Sequence, residues 1–139
     1  NGWSFHYCRR QWSLRENGFL KYEWLGQFDE DMINLAKEYN IFDQRMADLC
    51  LLKEPEKTIC FYRNGLLFVF NFSPNQSLTN VLIPVPNEAD FEVAMCSDDP
   101  EYGGNSLVQH MTYPTKKFDG QNYVELYIPA RTAIVLKAK

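Results

Sequence analysis

The stretch that decides the fold reads Arg63-Asn64-Gly65-Leu66-Leu67-Phe68-Val69-Phe70-Asn71-Phe72-Ser73-Pro74. Its middle, residues 66–72, is almost entirely leucine, valine and phenylalanine, and turn-forming residues flank it, as is typical of a β-strand. Apolar side chains occupy both alternating registers, whereas a half-exposed strand would alternate apolar with polar residues. We therefore predict a central strand that is covered on both faces, with Phe70 buried.

A hairpin is predicted at Asn64-Gly65, since both residues tolerate the positive φ angles that a two-residue turn requires. The partner strand is then residues 58–63, with the sequence Thr-Ile-Cys-Phe-Tyr-Arg. We place this hairpin in the middle of the sheet.

From about residue 45 onward, apolar residues recur with a period of two, and turn residues separate the strand-like runs. The remaining predicted strands cover residues 46–52, 78–85, 91–96, 107–113, 123–128 and 132–136. Pro84 cannot donate a ladder hydrogen bond, so the strand at 78–85 is expected to lie at an edge or to end there. The pattern predicts a mainly β fold, an antiparallel β-sandwich of seven to eight strands.

Helical periodicity is confined to the residues before this region, where we predict two or three α-helices. Ser4 is expected to cap a short helix with Phe5, Cys8 and Trp12 on one face, which the turn at residues 17–18 stops. A second helix of about three turns follows from the apolar repeat over residues 28–39, and Asn40 is expected to end it. Because neither helix can bury its apolar face alone, the helices pack on the sandwich or belong to a larger domain.

Charge and hydropathy limit the partners. The 139 residues carry a net charge of −4, and no basic cluster exceeds Arg9-Arg10 or Lys116-Lys117. Since nucleic-acid binding depends on phosphate neutralisation, no nucleic-acid partner is expected. No apolar run approaches the roughly 18 residues of a membrane span, so no membrane partner is expected either.

Four cysteines stand at positions 8, 50, 60 and 96, without a C-x-x-C spacing. Three of them lie in apolar runs, which favours reduced, buried thiols in a cytoplasmic protein over a disulfide framework or a zinc site. No cofactor and no metal site are predicted.

The sequence offers little for catalysis. His6 and His110 are the only histidines, and we interpret both as packing or surface residues. The loop with Asp98, Asp99 and Glu101 could supply the paired carboxylates of glycosidic chemistry or the oxygen ligands of calcium. Neighbouring carboxylates in a polar loop are usually solvated turn residues, and no apolar pocket that would raise a pKa is evident. No catalytic residue is therefore predicted.

The aromatic content of 15% has two interpretations. The first is a sheet core filled by phenylalanine and tyrosine. The second is a surface on which sugar rings stack, formed by exposed Tyr123, Tyr127 or Trp24.

Four segments resemble one known family. They are residues 1–14 (NGWSFHYCRRQWSL), 65–73 (GLLFVFNFS), 97–104 (SDD, then YGG) and 127–136 (YIPARTA, then VL). In this order they resemble motifs of the 1,4-α-glucan (glycogen or starch) branching enzymes, and together they cover nearly the whole chain. The long first segment points to the eukaryote-like members of that family.

The resemblance implies two domains: residues 1–42 would be the helical tail of a (β/α)8 catalytic barrel, and residues 43–139 the C-terminal all-β sandwich of the α-amylase superfamily. The family's catalytic carboxylates would precede Asn1, so the chain itself would be non-catalytic and would stabilise the remainder of the barrel, its main partner. The family transfers a cleaved α-1,4-glucan chain to an α-1,6 position. Trp3 and Tyr7 are candidate α-glucan contacts, with helix packing as the alternative. A separate hypothesis is an independent carbohydrate-binding module for α-glucan.

Overall fold

The computed structural model describes residue 8 and residues 11–43 and 46–139 of the chain. From residue 11 on, the described part of the chain begins with helices α1 (Trp12–Arg15) and α2 (Tyr22–Glu38), followed by a 3-10 turn at Ile41–Asp43. The described residues form nine strands: β1 (Asp48–Lys53), β2 (Thr58–Arg63), β3 (Leu66–Asn71), β4 (Leu78–Val85), β5 (Asp90–Cys96), β6 (Tyr113–Pro114), β7 (Lys116–Phe118), β8 (Gln121–Ile128) and β9 (Thr132–Ala138). A second 3-10 turn, Pro100–Tyr102, lies between β5 and β6.

The described strands pair antiparallel in two sheets. The large sheet has the order β1-β2-β3-β9-β5-β6, and the small sheet has the order β4-β8-β7. One continuous cluster of buried side chains lies between the sheets: Cys60, Leu67, Val69, Phe91, Cys96, Ile134 and Leu136 from the large sheet, and Val81, Ile83, Val85, Val124, Leu126 and Ile128 from the small one. The predicted mainly β, antiparallel sandwich is confirmed, with nine strands instead of seven to eight.

The central hairpin is also confirmed. Asn64 and Gly65 have φ angles of 48° and 85°, and β2 pairs with β3 without interruption. Strand β3 lies between β2 and β9, inside the large sheet.

The two faces of β3 differ in burial. Leu67 points into the core and is fully buried, whereas on the opposite face Leu66 is buried, Phe68 and Phe70 are half-buried, and Phe72 is 65% exposed. The prediction of a strand covered on both faces, with Phe70 buried, is therefore wrong for the Phe70 end. The physical reason is that α2 packs over the Leu66 end of this face and does not extend to the other.

Strand β4 has the predicted bounds and lies at an edge of the small sheet, as Pro84 required. Residues 107–113, by contrast, do not form the predicted strand. Only Tyr113 joins a ladder, in β6, although Val108 is buried in the core. The apolar residue at position 108 therefore reflects burial in the core and not a β-strand.

Strand β5 does not keep the simple alternation that its sequence predicts. A bulge between Val93 and Met95 shifts the register against β9. As a result Met95 packs on the helix side of the large sheet, and Cys96 returns to the core between the sheets.

Helix α2 is longer than predicted, because it begins at Tyr22 rather than near residue 28. It ends at Glu38, and Asn40 follows with a φ of 48°, as predicted for its end. The side-chain amide of Asn64 donates to the carbonyl oxygen of Tyr39. The residue that shapes the hairpin turn therefore also holds the carboxyl end of α2 against the large sheet.

The first predicted helix is described only in part. Ser4 and Phe5 lie outside the described residues, and α1 ends at Arg15, just before the predicted stop at residues 17–18. Arg15 pairs with Glu30 at 3.3 Å, and a Cβ at Gly26 would lie 2.2 Å from Nε of Arg15. The absence of a side chain at Gly26 thus leaves room for the Arg15 side chain along α2.

Candidate functional site

The acidic loop after β5 is held together by its own carboxylates. Asp98 is buried; its Oδ1 accepts the backbone N–H of Asn105 at 2.9 Å and its Oδ2 accepts that of Leu107 at 2.6 Å. Oδ1 of Asp99, also buried, lies 2.7 Å from Nε2 of His110. The interpretation of these two aspartates as solvated turn residues is therefore wrong, and their oxygens serve the loop structure.

Two glycines let this loop pack tightly. A Cβ at Gly104 would lie 2.1 Å from the carbonyl carbon of Asp98. Gly103 has a φ of 78°, and a Cβ at this position would lie 2.3 Å from Cε3 of Trp24. A larger residue would collide with Trp24 of α2 at position 103 and with the Asp98 backbone at position 104, so both glycines are packing requirements of the loop.

Tyr102 fastens the loop to α2. Its hydroxyl donates to Oδ2 of Asp31 at 2.9 Å, and its ring meets that of Phe28 edge-on at 5.2 Å. Burial, together with the Asp31 carboxylate, raises the pKa of the Tyr102 hydroxyl well above its ordinary value. Helix α2 thus packs on the sandwich, one of the two placements that the sequence left open.

Much of the outer side of the large sheet is apolar and open. We call it the apolar face; it comprises Leu49, Leu52, Phe61, Phe70 and Phe72 of the sheet, with Met32 and Phe42 beside it. Phe42 is 83% and Leu49 60% exposed. The ring centroid of Phe70 lies 5.9 Å from that of Phe61 and 5.8 Å from that of Phe72, and the Phe70 ring is stacked on both. Between this row and α2 lies a cavity of about 230 Å³, whose lining is apolar apart from Ser97.

The outer side of the small sheet carries a different surface, which we call the tyrosine face: Phe118, Tyr123 and Tyr127. Phe118 is 51% and Tyr127 39% exposed, and the rings of Phe118 and Tyr123 lie 6.0 Å apart. Glu125, between the two tyrosines, pairs with Lys116. The predicted exposure of Tyr123 and Tyr127 is confirmed in part, since Tyr123 is half-buried.

The candidate glucan contacts Trp3 and Tyr7, and also His6, lie outside the described residues. Trp24, the third candidate for sugar stacking, is half-buried, with Nζ of Lys21 5.0 Å from its ring centroid. Because the acidic loop also packs against this ring, Trp24 serves the junction between α2 and the sandwich.

Cys60 and Cys96 are buried as predicted, Cys50 is half-buried and Cys8 is exposed. Burial raises the pKa of Cys60 and of Cys96 to about 12, so neither is a ready nucleophile. No group of three or more potential metal ligands occurs within the described residues. In the same part of the chain, neither helix has the length and apolar character to cross a membrane.

Sequence reasoning missed the apolar face. Its signal was present in the doubly apolar strand 66–72 and in Phe61, which lies opposite Phe68 in the hairpin. Phe118 was missed as well, although it lies directly before the turn at Asp119-Gly120. The apolar face and the position of Phe118 both become visible only once the strand pairing shows which side chains share a face of a sheet.

The fold and its surfaces define an all-β sandwich domain whose buried carboxylates serve structure. The family model "Alpha amylase, C-terminal all-beta domain" matches residues 52–139. The chain belongs to that family.

The curated relatives include proteins named 1,4-alpha-glucan-branching enzyme from several organisms. Those of Yarrowia lipolytica and Debaryomyces hansenii are each 37% identical, over 97% and 100% of this chain and 20% and 21% of their own lengths. That of Equus caballus is 34% identical over 99% of this chain and 20% of its own length. The chain therefore spans about a fifth of the length of the curated relatives it matches.

Proposed function

We propose that the chain is the non-catalytic C-terminal region of a 1,4-α-glucan branching enzyme and that it stabilises the catalytic barrel. The observation that carries the proposal is the apolar face, which lies open on a domain that spans about a fifth of its relatives' length. Exposed apolar patches of this kind mark interaction sites. The parent reaction would serve glycogen synthesis in the cytoplasm.

The apolar face is suited to an intramolecular partner. At about 25 cal/mol per Å² of apolar surface, covering a few hundred Å² contributes several kcal/mol, comparable to the whole stability of a typical domain. The cavity beside Phe70 would accept apolar side chains from the covering segment. Residues 1–42, which include α2, would then be the tail of the barrel, and residues 43–139 would be the supporting domain.

A chimera tests this function. We would replace the matching region of the Yarrowia lipolytica relative with this chain and measure branching of amylose by the loss of its iodine colour. We expect an active chimera, and we expect a truncated relative without the region to aggregate or to lose activity. A chimera that folds but does not branch amylose would contradict the proposal.

A pair of substitutions isolates the role of the apolar face. Phe72→Lys places a charge on it, whereas Leu82→Lys places the same charge on the outer side of the small sheet, where Leu82 is also exposed. In the isolated chain both variants should melt near the wild-type temperature, because both side chains face solvent. In the chimera only Phe72→Lys should lower the Tm, since a buried, unpaired charge is costly. Equal Tm values for the two chimeras would count against barrel docking on this face.

The second candidate, a carbohydrate-binding module, is favoured by the exposed rings of Phe118 and Tyr127 on the tyrosine face. It predicts that the isolated chain binds glucan whether or not the chimera is active. The two candidates are compatible, because they use opposite sides of the sandwich.

A further inference from the structure

The tyrosine face continues into a concave site. A cavity of about 310 Å³ lies between Tyr127 and residues 107–113, and its lining is Leu107, Val108, Gln109, Met111, Tyr113 and Tyr127. Strand β7 pairs with β8 only as far as Tyr123, which leaves the side of β8 next to Tyr127 free for this segment. The cavity therefore lies where β7 no longer covers β8 and the irregular segment 107–113 takes its place.

The chemistry of this site suits a neutral, polyhydroxylated ligand. None of the six lining side chains carries a formal charge, and the charges of Lys116 and Glu125 on the adjoining sheet neutralise each other. Sugar rings present apolar C–H faces that pack on aromatic rings, while tyrosine hydroxyls and the Gln109 amide can bond to sugar hydroxyls. The volume lies within the range of small-ligand sites.

The rings are arranged in a row rather than in one cluster. Tyr123 and Tyr127 point to the same side of β8, four residues apart, which corresponds to roughly 13 Å along a strand. Phe118 extends the row beyond Tyr123, 6.0 Å from its ring. An extended chain of sugar units could contact both ends of the row, whereas a single sugar would contact one.

We propose that the cavity beside Tyr127, with the row formed by Tyr123 and Phe118, binds a linear α-1,4-glucan on the side of the sandwich opposite the apolar face. The choice of α-glucan among sugars rests on the proposed function. The core separates the two surfaces, so a barrel docked on the apolar face alone would leave the tyrosine face open. The site would hold a glucan chain at a distance from the barrel.

The test is affinity electrophoresis of the 139-residue chain in gels with glycogen, with dextran as an α-1,6-linked comparison. Glycogen should retard the chain and dextran should not. Tyr127→Ala should weaken glycogen affinity about fivefold to tenfold, the size expected for one lost aromatic contact. Tyr127→Phe, which keeps the ring, should stay within about twofold. The matched control is Tyr22→Ala, at an exposed tyrosine of α2, which should bind as the wild type does.

A second measurement needs no variant. Maltoheptaose added to the chain with isotope-labelled tyrosine rings should shift the NMR signals of Tyr113, Tyr123 and Tyr127 but not that of Tyr22. Unshifted signals, equal retardation by dextran, or glycogen retardation unchanged by Tyr127→Ala would each overturn the proposal.

The outcome is separable from that of the proposed function. An active chimera without glycogen binding at Tyr127 would overturn only the glucan site. An inactive chimera with Tyr127-dependent binding would overturn only the role as a branching-enzyme region and would favour the carbohydrate-binding module.

Discussion

The two outer sides of the sandwich are both rich in aromatic residues, but they differ in what surrounds the rings. On the apolar face, phenylalanines stack on one another beside a cavity with an apolar lining and the apolar side of α2. On the tyrosine face, two of the three rings carry hydroxyls, and the rings lie beside a paired lysine and glutamate. The first surface has few groups that satisfy a polar ligand, so it suits a protein partner. The second combines apolar rings with hydrogen-bonding groups, as sugar binding requires.

The largest effect should come from the core that the two sides share. Leu67 is fully buried between the sheets. Leu67→Ala should lower the free energy of unfolding by about 3–4 kcal/mol, because it removes buried methyl groups and leaves a cavity. Urea denaturation measures this loss. A loss below about 1 kcal/mol would mean that the faces of β3 are assigned to the wrong sides.

Phe70→Ala, on the apolar face, should lower the free energy of unfolding of the isolated chain by less than Leu67→Ala does. We expect about 1–2 kcal/mol, because the ring is only half-buried. In the chimera the cost should rise, since the barrel would bury the rest of the ring. The same urea denaturation, with the isolated chain and the chimera side by side, checks both values. An equal cost in both settings would contradict docking at Phe70.

Tyr102→Phe, at the junction of α2 and the acidic loop, should lower the free energy of unfolding by about 1 kcal/mol, because the hydrogen bond to Asp31 is lost. It should also alter the response to alkali. The folded-state pKa of Tyr102 is raised, so its stabilising effect is complete below the ordinary tyrosine pKa of about 10 and is lost as the pH rises above it. Melting curves between pH 8 and pH 11 should therefore show a shallower alkaline loss for Tyr102→Phe than for the wild type. Parallel curves would argue against a stabilising role for the Tyr102 proton.

The smallest effect should be that of Leu82→Ser, on the outer side of the small sheet. Leu82 is exposed, so the substitution should change the free energy of unfolding by no more than about 0.5 kcal/mol in the isolated chain and in the chimera. A larger loss confined to the chimera, measured by thermal melting, would place part of the barrel contact on the small sheet.

Much of the fold could be predicted because its signals are local. The turn at Asn64-Gly65 needs residues that accept positive φ, and the strands beside it need only alternating or apolar runs. The predictions that failed concern features set by tertiary contacts. The bulge after Val93 has no signature in the alternation, and residues 107–113 look like a strand because Val108 is buried.

The candidate sites were less predictable. Asp98 and Asp99 were identified as notable, but their backbone and histidine partners lie several residues away along a folded loop. Tyr123 and Tyr127 were singled out from composition. The cavity on which the proposed role of Tyr127 rests depends on where β7 stops, which no local pattern shows.

The sequence by itself determined that this protein is a two-layered antiparallel β fold with helices at its amino-terminal side, because alternation and turn chemistry act over a few neighbouring residues. Only the tertiary structure decided which aromatic side chains stay open on each side of the sandwich. That outcome depends on how far α2 extends over the large sheet and on where β7 stops beside β8, and both are set by contacts between residues far apart in the chain.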